Sequence, residues 1–232
     1  MKNMLKKIAL TIIPALAMVS ASDAANVVFG SGESNSFSEE NGTDLAVGNL
    51  ARLGVFSLTD AQIQANSGNV AFLNSNFTQI GTARIGDSFG LPGHFLQSVQ
   101  FDTTSIAGRQ MALWVFKSAN NSSDMASVNS ALQIGIFYMD KALNSQWTVP
   151  MQVPVPGATV IDIADLTTPA SGNTQLRAGA HVVVGSFPNG ISDATEAPGF
   201  GLQTVSEPVP EPSTISFLGI AALGFLARRR SN

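Results

Sequence analysis

The chain has 232 residues, 44% hydrophobic but only 12% charged, with 12 Lys+Arg, 16 Asp+Glu and a formal net charge of −4. That length fits one all-β domain or two small ones, and a charged content well under about a quarter points to apolar targeting segments that inflate the average. The acidic balance argues against nucleic-acid binding, which needs phosphate neutralisation, and the lack of cysteine removes thiol catalysis, thiolate zinc sites and disulfide staples.

At the N-terminus Lys2, Lys6 and Lys7 precede a mainly apolar run over residues 8–19, and small residues follow at Ser20, Ala21, Ser22 and Ala24. A basic start, an apolar centre and a small-residue exit predict a secretory signal peptide over residues 1–24, cut after Ala24 in preference to Ala21. The apolar run is too short to span a bilayer comfortably.

The body, residues 25–205, is rich in Gly, Ser, Asn, Thr, Val and Phe, the composition of strands joined by turns. Period-two patterning predicts strands over residues 26–29, 50–58 and 94–101. Residues 30–49 are polar and Gly-rich and read as a loop. Residues 59–77 break the alternation: Ile63, Val70, Leu73 and Phe77 recur at helical spacing behind Thr59 or Asp60 as a cap, which predicts one or two short helices over one end of the fold. Residues 110–116 are continuously apolar, as expected of a central strand covered on both faces. Strands over 132–139 and 145–149 would flank a hairpin loop at 140–144, and 159–163 and 181–187 supply later strands. Pro150, Pro154 and Pro156 suit an edge or an irregular crossing. The pattern as a whole predicts an antiparallel β-sandwich, jelly-roll-like, with helical decoration.

The C-terminal segment, residues 206–232, has three parts: Val209, Pro210, Glu211, Pro212, Ser213 and Thr214; an apolar stretch within 214–227; and Arg228, Arg229 and Arg230. As a helix the stretch rises about 20 Å, short of a ~30 Å hydrocarbon core, so it would insert as a transmembrane helix only with its arginines at the headgroups. The three arginines favour the cytoplasmic side, leaving the body outside. A span this marginal suits transient retention while a processing enzyme acts, as in glycolipid-anchor signals. From Ala25 to Val209 the chain holds six Lys+Arg against fourteen Asp+Glu, a net charge of −8.

The Pro210-Glu211-Pro212 element, apolar helix and terminal arginine cluster together resemble the PEP-CTERM sorting signal of Gram-negative bacteria. The resemblance covers about two dozen residues. It implies processing by a membrane-embedded exosortase at or near Pro-Glu-Pro, after signal peptidase has acted and with only transient residence in the inner membrane. It also implies a destination at the cell envelope, cell surface or extracellular space, and an association with exopolysaccharide. The body resembles an exported cargo module seen with such tails, through residues 52–56, 76–81, 110–116, 135–137 and 147–150, and that likeness brings no activity with it.

Candidate chemistry in the body is sparse. The two histidines, His94 and His181, lack an HxH or HExxH spacing. Glu39 and Glu40 lie in a polar loop and read as solvated; Asp162 and Asp165 sit at a strand exit, where Asp commonly caps a turn. Either pair would serve glycoside hydrolysis only if two acids faced one another across a cleft, and neither forms a calcium loop. Ser31 and Ser186 are not in nucleophile elbows, and residues 86–90 lack the Lys-Ser/Thr of a phosphate loop. Among the aromatics Trp114 reads as core, whereas Trp147, near a hairpin, and Tyr138 are the candidates for ligand binding, since exposed aromatic faces pair with sugar C–H faces. The expectation is therefore a non-catalytic surface or matrix module without cofactor or metal, with a carbohydrate-binding module and a hydrolase carrying an unrecognised carboxylate pair as alternatives.

Overall fold

A computed structural model describes residues 24–31, 35–151, 158–168, 175–189 and 199–205. The expected signal helix lies outside these residues except for Ala24, as do the expected transmembrane helix and the rest of the tail. In chain order the strands are β1 (Ala24–Gly30), β2 (Phe37–Ser38), β3 (Leu50–Phe56), β4 (Phe77–Arg84), β5 (Leu96–Asp102), β6 (Ala112–Lys117), β7 (Gln133–Met139), β8 (Thr159–Asp162), β9 (Thr167–Thr168), β10 (Gln175–Leu176), β11 (Ala180–Val184), β12 (Ser186–Asn189), β13 (Gly199–Gly201) and β14 (Gln203–Thr204). Two short helices, α1 (Asp60–Ala65) and α2 (Val70–Ser75), separate β3 from β4.

The main sheet runs β11-β7-β6-β3-β4, with β14 beside β7; β5-β1-β8 form a second sheet, and β12-β13-β2 a third. The pairings are antiparallel apart from β1 with β8 and β2 with β13, which are parallel. The architecture is the expected sandwich-like arrangement of sheets with a few short helices.

β6 shows why it takes the centre. Leu113 and Val115 point into a core shared with Val27 and Phe29 of β1 and Ile161 of β8, while Ala112, Trp114 and Phe116 point to the other face, against Ile63, Leu73 and Val128. A strand apolar on both faces must be covered on both, and here the second sheet covers one and the helical segment the other. Burying a side chain such as Ile63 or Leu73 stabilises by about 1.5–3 kcal/mol relative to leaving it in water, enough to fix helices of six residues that would not persist alone.

α1 starts where expected. Thr59 is its N-cap, with its side chain accepting from the Gln62 N–H and the Gln62 side chain accepting from the Thr59 N–H, a capping box. Asn69 caps α2 with its side-chain oxygen alone, which accepts from the Phe72 N–H. Phe77, read as the last helical position, instead opens β4. Its ring packs 4.7 Å from Phe56 and 5.2 Å from Trp114, a position open only because residue 54 is glycine: a Cβ there would lie 2.4 Å from the Phe77 ring.

The expected second strand of the hairpin is corrected. Residues 145–147 form a 3₁₀ turn, Ser145–Trp147, capped by the Asn144 side chain, which accepts from the Gln146 N–H. Asn and Ser bond readily to nearby backbone, which favours a capped turn over a strand. Among the described residues no helix is long and apolar enough to cross a membrane.

Candidate functional site

Three polar side chains from three elements meet at one end of the main sheet. β7 and β11 pair with His181 opposite Tyr138, and the two rings stack with centroids 4.4 Å apart and planes 11° apart. Asp60, the first residue of α1, reaches down to both. Tyr138 Oη donates to Asp60 at 2.8 Å from either carboxylate oxygen, and His181 Nδ1 lies 2.9 Å from Asp60 Oδ2.

The Asp60 and His181 side chains are 37% and 38% exposed, so their contact contributes little to stability and stays open to solvent. Tyr138 sits deeper. Burial, then its hydrogen bond to Asp60 and the charges of Asp60 and Asp140, push its hydroxyl well above the usual phenol range. Tyr138 therefore remains a neutral donor to Asp60 across ordinary pH.

Beside this trio lies a cavity of about 330 Å³ between α1 and the main sheet. Its walls are apolar, from Phe56, Leu58, Ile63, Ala112 and Ile136, and Asp60 and Tyr138 form its polar side. Gln110 also lines it, but that amide is already committed. Its two Nε2 hydrogens are shared among the carbonyls of Met111, Met139 and Trp147, and its Oε1 accepts from the Lys141 N–H. Arg109 Nη2 bonds the Phe56 carbonyl at 2.7 Å and holds that wall in place.

Of the two aromatic candidates, Tyr138 therefore lines a cavity and Trp147 does not reach the surface. Trp147 is 0% exposed; the 3₁₀ turn folds its indole into the inter-sheet core, where Nε1 donates to Asp165 Oδ2 at 2.9 Å. Asn144 Nδ2 donates to the same oxygen at 3.1 Å. The expectation of an exposed Trp147 is thus corrected: an indole whose N–H finds a partly buried acceptor gains more inside than on a turn. Trp114 is core, as expected, at the centre of a cluster with Phe56, Phe77 and Phe116.

The other carboxylates have structural partners. Asp162 caps the 3₁₀ turn Ile163–Leu166, as read from its place at a strand exit, and burial raises its pKa above the usual carboxylate range. Glu39 and Glu40, read as solvated, are tied down instead: Glu39 pairs with Lys117, and Glu40 accepts from the Thr204 hydroxyl and N–H. His94 lies 3.5 Å from the Ser31 hydroxyl. Among the described residues no group of three or more His, Asp or Glu could hold a metal ion.

Asp60 is the residue that sequence reasoning assigned only to a cap. Its partners lie 78 and 121 positions away, and no local spacing carries that meeting. The sorting residues Val209, Pro210, Glu211, Pro212, Ser213, Thr214, Arg228, Arg229 and Arg230 all lie outside the described residues.

Residues 208–230 match the family model described as the PEP-CTERM protein-sorting motif. No curated protein and no solved structure matches the chain. The chain thus ends in a PEP-CTERM signal, which indicates an exported bacterial protein, sorted at the membrane and processed by an exosortase.

Proposed function

We propose that the chain is a non-catalytic module displayed at the cell envelope, surface or extracellular matrix of a Gram-negative bacterium. It is released from a signal peptide after Ala24, held briefly in the inner membrane by residues 214–227, and cut by exosortase at or near Pro210-Glu211-Pro212. The observation that carries this reading is the sorting motif at residues 208–230. The proposed signal cleavage falls within β1: it leaves Ala25, paired with Phe101, as the first residue and removes Ala24 from its pairing with Asp102.

A structural role for the body is supported by where its acids go: Asp165 holds Trp147, Asp162 caps a turn, and Glu39 and Glu40 tie segments 39–40 to β6 and β14. Exopolysaccharide is the proposed neighbour at the destination.

The test is localisation. Replacing Pro210, Glu211 and Pro212 by alanine leaves the fold unchanged and traps the protein in the inner-membrane fraction. Normal release of the triple variant to the surface or medium refutes the proposal.

A further inference from the structure

The cavity beside Asp60, Tyr138 and His181 has a composition that a passive cover over the sheet does not require. We propose that it is a binding site for one neutral sugar ring, seated against the partly exposed Phe56 and Leu58 with its hydroxyls directed at Asp60 and Tyr138. The proposal deepens the reading of the body as a displayed module by naming what that module holds.

Size comes first. Ligand sites run from about 300 to 1,000 Å³, and 330 Å³ is at the small end; it admits one ring and not an extended chain. The apolar walls and the half-buried Phe56 ring match the C–H face of a pyranose.

The polar side narrows the ligand further. An ionised carboxylate offers about four lone-pair positions. Asp60 uses its own on Tyr138 and His181, with Tyr138 sharing one proton between both oxygens, so acceptor capacity remains. The Tyr138 oxygen keeps its acceptor lone pairs as well. Such a side calls for hydroxyl donors. An anionic ligand would meet Asp60 with like charge, and a cation would have to displace an imidazole already placed 2.9 Å from the carboxylate.

The stack gives the site its rigidity. Tyr138 and His181 are paired across a ladder and bound to the same carboxylate, so the acceptors are fixed before a ligand arrives, which lowers the ordering cost of binding.

The experiment uses the full chain as exported, purified from cells, with a panel of neutral methyl hexosides and deoxyhexosides followed by ligand-observed NMR. At least one glycoside binds saturably with a Kd of roughly 10 mM or tighter. Asp60→Asn and Tyr138→Phe each weaken that binding about 10-fold, the loss of one good hydrogen bond. Asp60→Asn also alters the first turn of α1, so Ala112→Leu, which fills the cavity floor without touching a polar group, is the second variant and abolishes binding while near-UV circular dichroism is kept. A disaccharide glycoside that binds as tightly as the methyl glycoside identifies a terminal glycan residue as the ligand; loss of binding on extension identifies a free sugar. No glycoside bound by the folded wild-type protein, or binding indifferent to Ala112→Leu, overturns the proposal. Both readouts are independent of where the protein is sorted, so failure here leaves the localisation result intact.

Discussion

Tyr138 and His181 lie ring on ring across the β7–β11 ladder, centroids 4.4 Å apart, and share Asp60 as their hydrogen-bond partner. One carboxylate at the first residue of α1 thereby ties the helix to two strands of the main sheet. Asp60 makes this connection while its side chain stays 37% exposed.

Tyr138 is the one tyrosine of the chain, so its ionisation can be read without ambiguity. Burial, followed by Asp60, raises its pKa. The folded state therefore keeps a proton that the unfolded state gives up near pH ~10; the associated stability is complete below about pH 10 and declines as pH rises beyond it. Absorbance at 295 nm shows no tyrosinate step between about pH 9 and 11 in the native protein and a midpoint near pH ~10 in denaturant. Asp60→Asn brings the native midpoint down, yet leaves it above the unfolded value because burial is the larger cause.

Trp147→Phe removes the N–H that Asp165 accepts and leaves space in the core. The variant loses about 1–3 kcal/mol in urea denaturation. A change within about 0.5 kcal/mol, the range of surface substitutions, would place Trp147 outside the core.

Arg52 is only 3% exposed and has no carboxylate within ion-pair distance among the described residues. Its guanidinium bonds Gln79 and Asn74 and lies 4.6 Å from the centre of the Phe77 ring. Burial lowers its pKa to about 10, so the folded state binds its proton less tightly than the unfolded state. This cost is constant below about pH 10 and is relieved as pH rises beyond it. Arg52→Met keeps the stem packing and removes the buried charge, and its stability stays within about 1 kcal/mol of wild type. Arg52→Ala loses the packing as well and costs about 2–4 kcal/mol. Chemical denaturation of both variants separates packing from charge.

Asp162 caps a 3₁₀ turn while burial raises its pKa. The folded state thus holds a proton more tightly than the unfolded state, and this contribution is present at low pH and lost as pH rises through the raised pKa. Asp162→Asn keeps the cap without a buried charge and is at least as stable as wild type at pH 7. Asp162→Ala loses the cap and about 1 kcal/mol. Equal stability of the two variants would remove the capping role.

Strands and helices with one strong local signal were legible in the sequence: the unbroken apolarity of residues 110–116 marked a central strand, and Thr59 with Ile63 marked α1. Phe77 was harder, because a helical spacing from Val70 and Leu73 runs straight into a strand whose first ring packs on Phe56 and Trp114. Trp147 misled for a related reason. Its turn is local, but the acceptor that draws it inward is Asp165, in another segment. The Asp60–Tyr138–His181 cluster had no linear signature at all, since helix start, strand and strand are brought together only by the β7–β11 register and the seat of α1. The tail was the reverse case, its meaning being carried by linear order alone.

Mass spectrometry of the C-terminal peptide of the exported protein tests the central claim most directly. Processing through the PEP-CTERM signal predicts a new C-terminus at or near Pro210-Glu211-Pro212, with Arg228, Arg229 and Arg230 absent from the mature chain. A surface-located protein that still ends in Ser231 and Asn232 would contradict it.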